Sequence, residues 1–158
     1  MAENKIYLIL DNIRSSENVG AIFRTSDAVG VSKIFLIGYT PSPTDRFGRE
    51  QKKIAKSALG AEKVIPHEKR EDLPELIEKL KKNNVKVVAV EQDSEAVDYN
   101  LVEIKEDAAF IFGNEVDGIS KDILKMCHQI AEIPMKGTKE SLNISVSVGV
   151  FLYKVLKI

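Results

Sequence analysis

Cysteine occurs once in this 158-residue chain, histidine twice, and an excess of positive charge not at all. Cys127 has no partner for an internal disulfide, and with only His67 and His128 beside it the ligands of a structural zinc site are missing. No metal is expected, and a reducing, cytoplasmic setting follows from the lone thiol. With 23 Lys and Arg against 24 Asp and Glu the formal net charge is −1, so any surface for a polyanion has to be a local patch. Long hydrophobic runs are missing too. The apolar part of "MAENKIYLILDNIR" is too short for a signal peptide or a membrane span, so a soluble protein without a membrane partner is expected.

What is present fits one domain over residues 1–158, with 44% hydrophobic content, enough to bury a real core. Short apolar runs recur: "KIYLIL", "KIFLIG", "EKVIP", "VKVVAV", "AAFIFG" and "QIAEIP". Continuous rather than alternating, they read as strands covered on both faces. Between several of them lie helical patterns: "ENVGAIFRTSDAVG", "EQKKIAKSALG", "EDLPELIEKLKKNN" and "SKDILKMC". Gly30, Gly60 and the Asn83-Asn84 pair end the first three, and Ser120 caps the fourth. Strand and helix in alternation predict an α/β fold, a mainly parallel sheet with helices on both faces.

The last segment, "SLNISVSVGVFLYKVLKI", mixes strand-forming valines with a helix-capping Ser141 and is predicted to be a helix. Leu142, Val146, Gly149, Val150 and Tyr153 share one stripe, while Ile144, Val148, Phe151, Leu152 and Val155 make the other sides apolar as well. Such a helix needs cover nearly all round. Either the monomer supplies all of it or a homodimer supplies part.

Residues 41–60, "PSPTDRFGREQKKIAKSALG", set Arg46, Arg49, Lys52, Lys53 and Lys56 against Asp45 and Glu50. The run reads as a solvated helix face or as a basic patch for nucleic acid, and Phe47 between two arginines could stack on an unpaired base. Cys127 and His128, adjacent on an expected helix, are read as structural.

Ligands of such sheets bind beyond the carboxyl ends of the strands. In "FGNEVDGIS" two glycines, Gly113 and Gly118, follow a strand in almost the spacing of a phosphate loop, but Ile119 stands where the lysine is required. Phosphoryl transfer is disfavoured. The turn either grips a flat, uncharged edge such as adenine or is a plain strand-to-helix turn capped by Asn114, Glu115 and Asp117. In "IPMKGTKESLN" Ser141 and Asn143 stand at a helix start, and in "RSSENVGAIFRTSD" Asn18, Gly20 and Arg24 sit near another, where an arginine beside a ligand site can clamp phosphate.

Together these loops resemble the SpoU/TrmH branch of the SPOUT RNA methyltransferases. "NVGAIFRTSDAVGV", "FGNEVDGIS" and "IPMKGTKESLNISVSVGVFLY" are similar to its three motifs, in the same order and spacing. The resemblance implies an S-adenosyl-L-methionine-dependent 2′-O-ribose methyltransferase of tRNA or rRNA, a homodimer whose C-terminal part forms a deep trefoil knot. It implies that Arg24 is catalytic, with Asn18, Glu115, Ser141 and Asn143 organising the site. Phe112, Gly113, Asn114, Ile133, Met135, Ser141 and Leu142 would bind the cofactor. Arg24, Arg46, Arg49, Lys52 and Lys53 would contact RNA. Because the chain begins at the first strand, substrate capture is expected to fall on this domain itself.

Overall fold

Unbroken apolar runs need cover on both faces, and they receive it in a seven-stranded sheet. The computed structural model describes residues 3–158. The strands are β1 (Ile6–Asp11), β2 (Lys33–Ile37), β3 (His67–Arg70), β4 (Lys86–Val90), β5 (Val97–Asp98), β6 (Ala108–Phe112) and β7 (Gln129–Glu132). They lie in the order β3-β2-β1-β6-β4-β7-β5, and every strand pairing is parallel. The helices are α1 (Ser16–Val29), α2 (Lys52–Ala58), α3 (Leu73–Lys82), α4 (Lys121–Met126) and α5 (Ile144–Val155).

Side chains alternate across a strand, so each strand feeds two cores. Leu8 and Leu10 of β1 and Phe110 and Phe112 of β6 meet α1, α2 and α5. Ile9, Ala109 and Ile111 meet α3 and α4 on the opposite face. The α5 helix docks through Phe151, whose ring lies edge-on to Phe110 at 5.0 Å and Phe112 at 5.8 Å between centroids. Emptying such a site costs about 3–5 kcal/mol.

Local chemistry explains most boundaries. Ser15 caps α1 by accepting from the Asn18 N–H, Asp72 caps α3 from Glu75, and Ser120 caps α4 from Ile123. Gly30 closes α1 at φ 80°.

Four expectations need correction. "EKVIP" is not a strand: residues Ala61–Lys63 form a 3₁₀ turn, and β3 starts beyond Pro66, which has no N–H to give a ladder but accepts from Ile34 N at 2.9 Å. The two-residue β5 was not expected, being too short for any pattern to mark. The last helix starts at Ile144 under an Asn143 cap, not a Ser141 cap. Cys127 and His128 do not share a helix: Cys127 ends α4, and His128 extends the sheet, its N–H donating to Val87 O and its ring Nδ1 accepting from Val87 N, each at 2.9 Å.

The α5 helix is also not covered all round. Val148, Phe151, Leu152 and Val155 are in the core, whereas Leu142 before the helix and Val146, Val150 and Tyr153 along it stay exposed on one side. Gly149, on the edge between, admits Thr25 of α1: a Cβ there would meet its methyl at 3.7 Å.

Candidate functional site

The sheet's carboxyl edge gathers the loops that follow β4, β6 and β7. The turn after β6 is built first by Asn114, 8% exposed, whose side chain spends its whole capacity internally. Its amide donates to Asn12 O and the Tyr39 hydroxyl, and its oxygen accepts from the N–H groups of Val116 and Asp117, both at 2.8 Å. Gly118 then turns at φ 67° and its N–H returns to Asn114 O at 2.9 Å. Glu91, just past β4, accepts from Ile119 N at 2.9 Å and braces the turn from beside. Glu115 reaches the other way, taking the N–H groups of Arg14 and Ser15 at 3.0 and 3.3 Å, and so ties this turn to the loop ahead of α1. A carboxylate there also meets the positive end of the helix.

Beside this turn opens a cavity of about 520 Å³. Val90, Phe112, Ile133, Met135, Leu142 and Ile144 give it apolar walls. Glu91, Glu115, Glu140, Ser141, Asn143 and Asn18 supply much of the polar part, and among the described residues no lysine or arginine lines it. Phe112 is nearly inaccessible and Gly113 buried, so a ligand meets chiefly their main chain.

Asn18, Phe112, Gly113, Asn114, Glu115, Ile133, Met135, Ser141, Leu142 and Asn143 thus meet around one space, as the three-loop reading expected. The capping alternative for the β6 turn is also realised, in Asn114, so turn-building and ligand-facing roles coexist. Asn143 likewise spends its side-chain oxygen on Ser145, accepting from N at 2.9 Å and Oγ at 2.6 Å. Arg24 does not line the cavity of its own chain. It is exposed on α1 and, among the described residues, has no carboxylate within ion-pair distance. Arg46, Arg49, Lys52 and Lys53 lie apart, on the arm after β2 and the start of α2. The sequence reading missed Val90, which ends the run "VKVVAV", and Glu91 and Gln92, which follow it; the available signal was their place at the carboxyl end of that strand.

Gly20 has a packing role. A Cβ on it would lie 2.5 Å from Ile54 O and within van der Waals overlap of the Ser57 hydroxyl, so α1 and α2 cross at this residue. Behind the β6 turn a second cavity of about 450 Å³ holds Asp11, Glu71 and Asp117. Burial raises the Asp11 carboxyl above its ordinary range. Burial likewise pushes the Cys127 thiol up to about 11, which leaves it inert at neutral pH.

A family model described as the SpoU rRNA Methylase family matches residues 5–153. The 23S rRNA (guanosine-2′-O-)-methyltransferase RlmB of Neisseria meningitidis is 32% identical over 152 residues, 96% of this chain and 58% of that protein. An uncharacterized tRNA/rRNA methyltransferase of Archaeoglobus fulgidus is 35% identical over 146 residues, 92% of this chain and 62% of that one. The chain therefore spans under two thirds of the length of these relatives. Among solved structures, the AdoMet-bound rRNA methyltransferase of Sinorhizobium meliloti superposes with a TM-score of 0.88 at 28% identity, covering 99% of this chain and 57% of the other.

Proposed function

This chain belongs to the SpoU rRNA methylase family, and from that premise we propose that it transfers a methyl group from S-adenosyl-L-methionine to a ribose 2′-hydroxyl of tRNA or rRNA. One observation carries the reading: the cavity at the carboxyl ends of β4, β6 and β7 has glutamates and apolar walls but no cationic side chain. A triphosphate would find nothing to neutralise it there, whereas a sulfonium ligand is not repelled. The relative from Sinorhizobium meliloti, described as AdoMet-bound, supports the same cofactor.

When bound, the cofactor supplies a methyl group already activated by the positive sulfur. Main-chain groups at Phe112, Gly113, Ile133, Met135 and Leu142 would hold its adenine and ribose, and the missing side chains at Gly113 and Gly118 keep the turn closed behind it. A ribose hydroxyl is a weak nucleophile near neutral pH, so the remaining task is to orient it and ease the loss of its proton. Arg24, with no ion-pair partner among the described residues, suits an RNA phosphate and the charge developing on the hydroxyl oxygen. Its guanidinium does not readily give up a proton, so it acts by charge and position and not as a base.

A homodimer completes the arrangement. The exposed stripe of Leu142, Val146, Val150 and Tyr153 supports a second copy packing on α5. Arg24 directly precedes Thr25, the residue packed on Gly149 of α5, and is itself exposed one position round the helix. On this reading each Arg24 serves the partner's cavity, with Asn18, Glu115, Ser141 and Asn143 shaping the wall it faces. Ile133, Met135 and residues 140–143 line the cavity beside the β6 turn, and the C-terminal knot is what the family implies for this part of the chain. Among the described residues no helix is long and apolar enough to cross a membrane.

The test is incubation of the protein with methyl-labelled S-adenosylmethionine and total RNA, followed by nuclease mapping. Label at ribose 2′-oxygens is the expected result. Label confined to bases, or cofactor binding without transfer to any RNA, overturns the assignment.

A further inference from the structure

Residues 41–51 form an arm that the methyl-transfer chemistry does not use, and its construction is specific. Thr44 and Glu50 pair as an antiparallel bridge, Asp45 N donates to Arg49 O and Gly48 N to Asp45 O at 2.9 Å each, and Gln51 N reaches Pro43 O at 2.9 Å. Inside this turn the Asp45 carboxylate accepts from Phe47 N at 2.8 Å and Arg49 N at 2.9 Å, and pairs with Arg49 Nε at 2.7 Å. These bonds hold the Asp45 carboxyl below its usual range, the Arg49 N–H contributing most. The outcome is a rigid tip carrying Phe47, 67% exposed, with the Arg46 and Arg49 guanidiniums 4.8 and 5.1 Å from its ring centre.

A single exposed phenylalanine is ordinary. This one is held out by a hydrogen-bonded turn and lies against two guanidiniums, and still keeps most of its surface open to solvent beside that positive charge. Among the described residues Arg49 is engaged through Nε, and its two terminal nitrogens make no hydrogen bond. The foot of the arm is fixed as well. The buried Thr40 hydroxyl donates to Leu10 O at 2.9 Å and accepts from Ile13 N at 3.0 Å, so the arm rises from the same sheet edge as the cavity.

Resting on the methyltransferase reading, we propose that this tip clamps an unpaired RNA nucleotide, Phe47 stacking on its base while Arg46 and Arg49 take the neighbouring phosphates. Alternating flat rings and anions is the chemistry of single-stranded RNA, and aromatic stacking with arginine is the matching surface. A paired base is already stacked on both sides and offers this ring nothing.

The chain contains no tryptophan, so Phe47→Trp places at the tip a single indole that can be excited apart from the four tyrosines. This variant is titrated with a single-stranded oligoribonucleotide, the same sequence as a duplex, and inorganic polyphosphate. Strong quenching by the single strand, with little by duplex or polyphosphate, is expected. In parallel, Phe47→Ala should weaken binding of the single strand roughly tenfold, with polyphosphate affinity unchanged. Equal quenching by polyphosphate, preference for the duplex, or undiminished binding by Phe47→Ala overturns the clamp. Failure of the wild-type protein to methylate any RNA, with quenching intact, instead overturns the methyltransferase reading and leaves the clamp standing.

Discussion

Gly113 and Gly118 lie back to back: a methyl group on Gly113 would sit 2.7 Å from the Gly118 carbonyl carbon and 2.8 Å from its oxygen. Those atoms are main chain and cannot rotate aside, so the turn must open to admit even alanine. Gly113→Ala should lose about 1–3 kcal/mol of stability, as overpacked sites do, and at least tenfold in S-adenosylmethionine affinity by calorimetry. Gly137→Ala, with nothing within 4 Å of the new methyl, is the matched control and should leave stability unchanged.

Arg24 stands outside its own chain's cavity, so its loss should spare cofactor binding. Arg24→Ala is expected to lower kcat about 10²–10³-fold, the scale for removing one group that stabilises developing charge, with the cofactor Kd unchanged. Arg24→Lys should not restore the rate, since a point charge lacks the planar fork. Mixing Arg24→Ala with Gly113→Ala chains should recover part of the activity if the arginine works across the dimer; no recovery places it in its own chain's reaction.

Lys52 and Lys53 are exposed at the start of α2, next to the arm. Replacing both by Gln should weaken RNA binding and reduce the slope of log K against log salt by about 0.7 for each phosphate no longer neutralised, the value for single strands. An unchanged slope marks them as bystanders.

Asp11 carries a carboxyl whose pKa burial has raised. The folded state then binds the proton more tightly than the unfolded state. That contribution favours folding below the unfolded value and is lost as pH rises through the folded one. Asp11→Asn should therefore raise Tm by a few degrees at about pH 7 and change it little near about pH 3. A scanning calorimeter at both pH values decides it; an equal shift at each would point to packing instead of charge.

The parallel sheet was legible because buried strands are written as unbroken apolar runs, and the site because turn glycines, Asn18 and Ser141 sit at strand and helix ends where free backbone groups collect. Other parts were illegible for definite reasons. Pro66 shifted β3 beyond its apparent run, since "EKVIP" carries the apolar residues but "HEKR" carries the ladder. Glu91 was passed over because a carboxylate that accepts main-chain N–H groups, here those of Ile119 and Gln92, looks in sequence like any surface glutamate. The one-sided cover of α5 depends on which faces the sheet can reach, a property of the assembled molecule and not of the segment "SVSVGVFLYKV" itself.

His128 contributes a ring nitrogen where a strand would contribute a carbonyl. Accepting from Val87 obliges that nitrogen to stay bare, so the neutral ring keeps its hydrogen on Nε2. The seam between β4 and β7 therefore opens with a side chain standing in for main chain, and the orientation of one ring sets the register in which the two strands begin to pair.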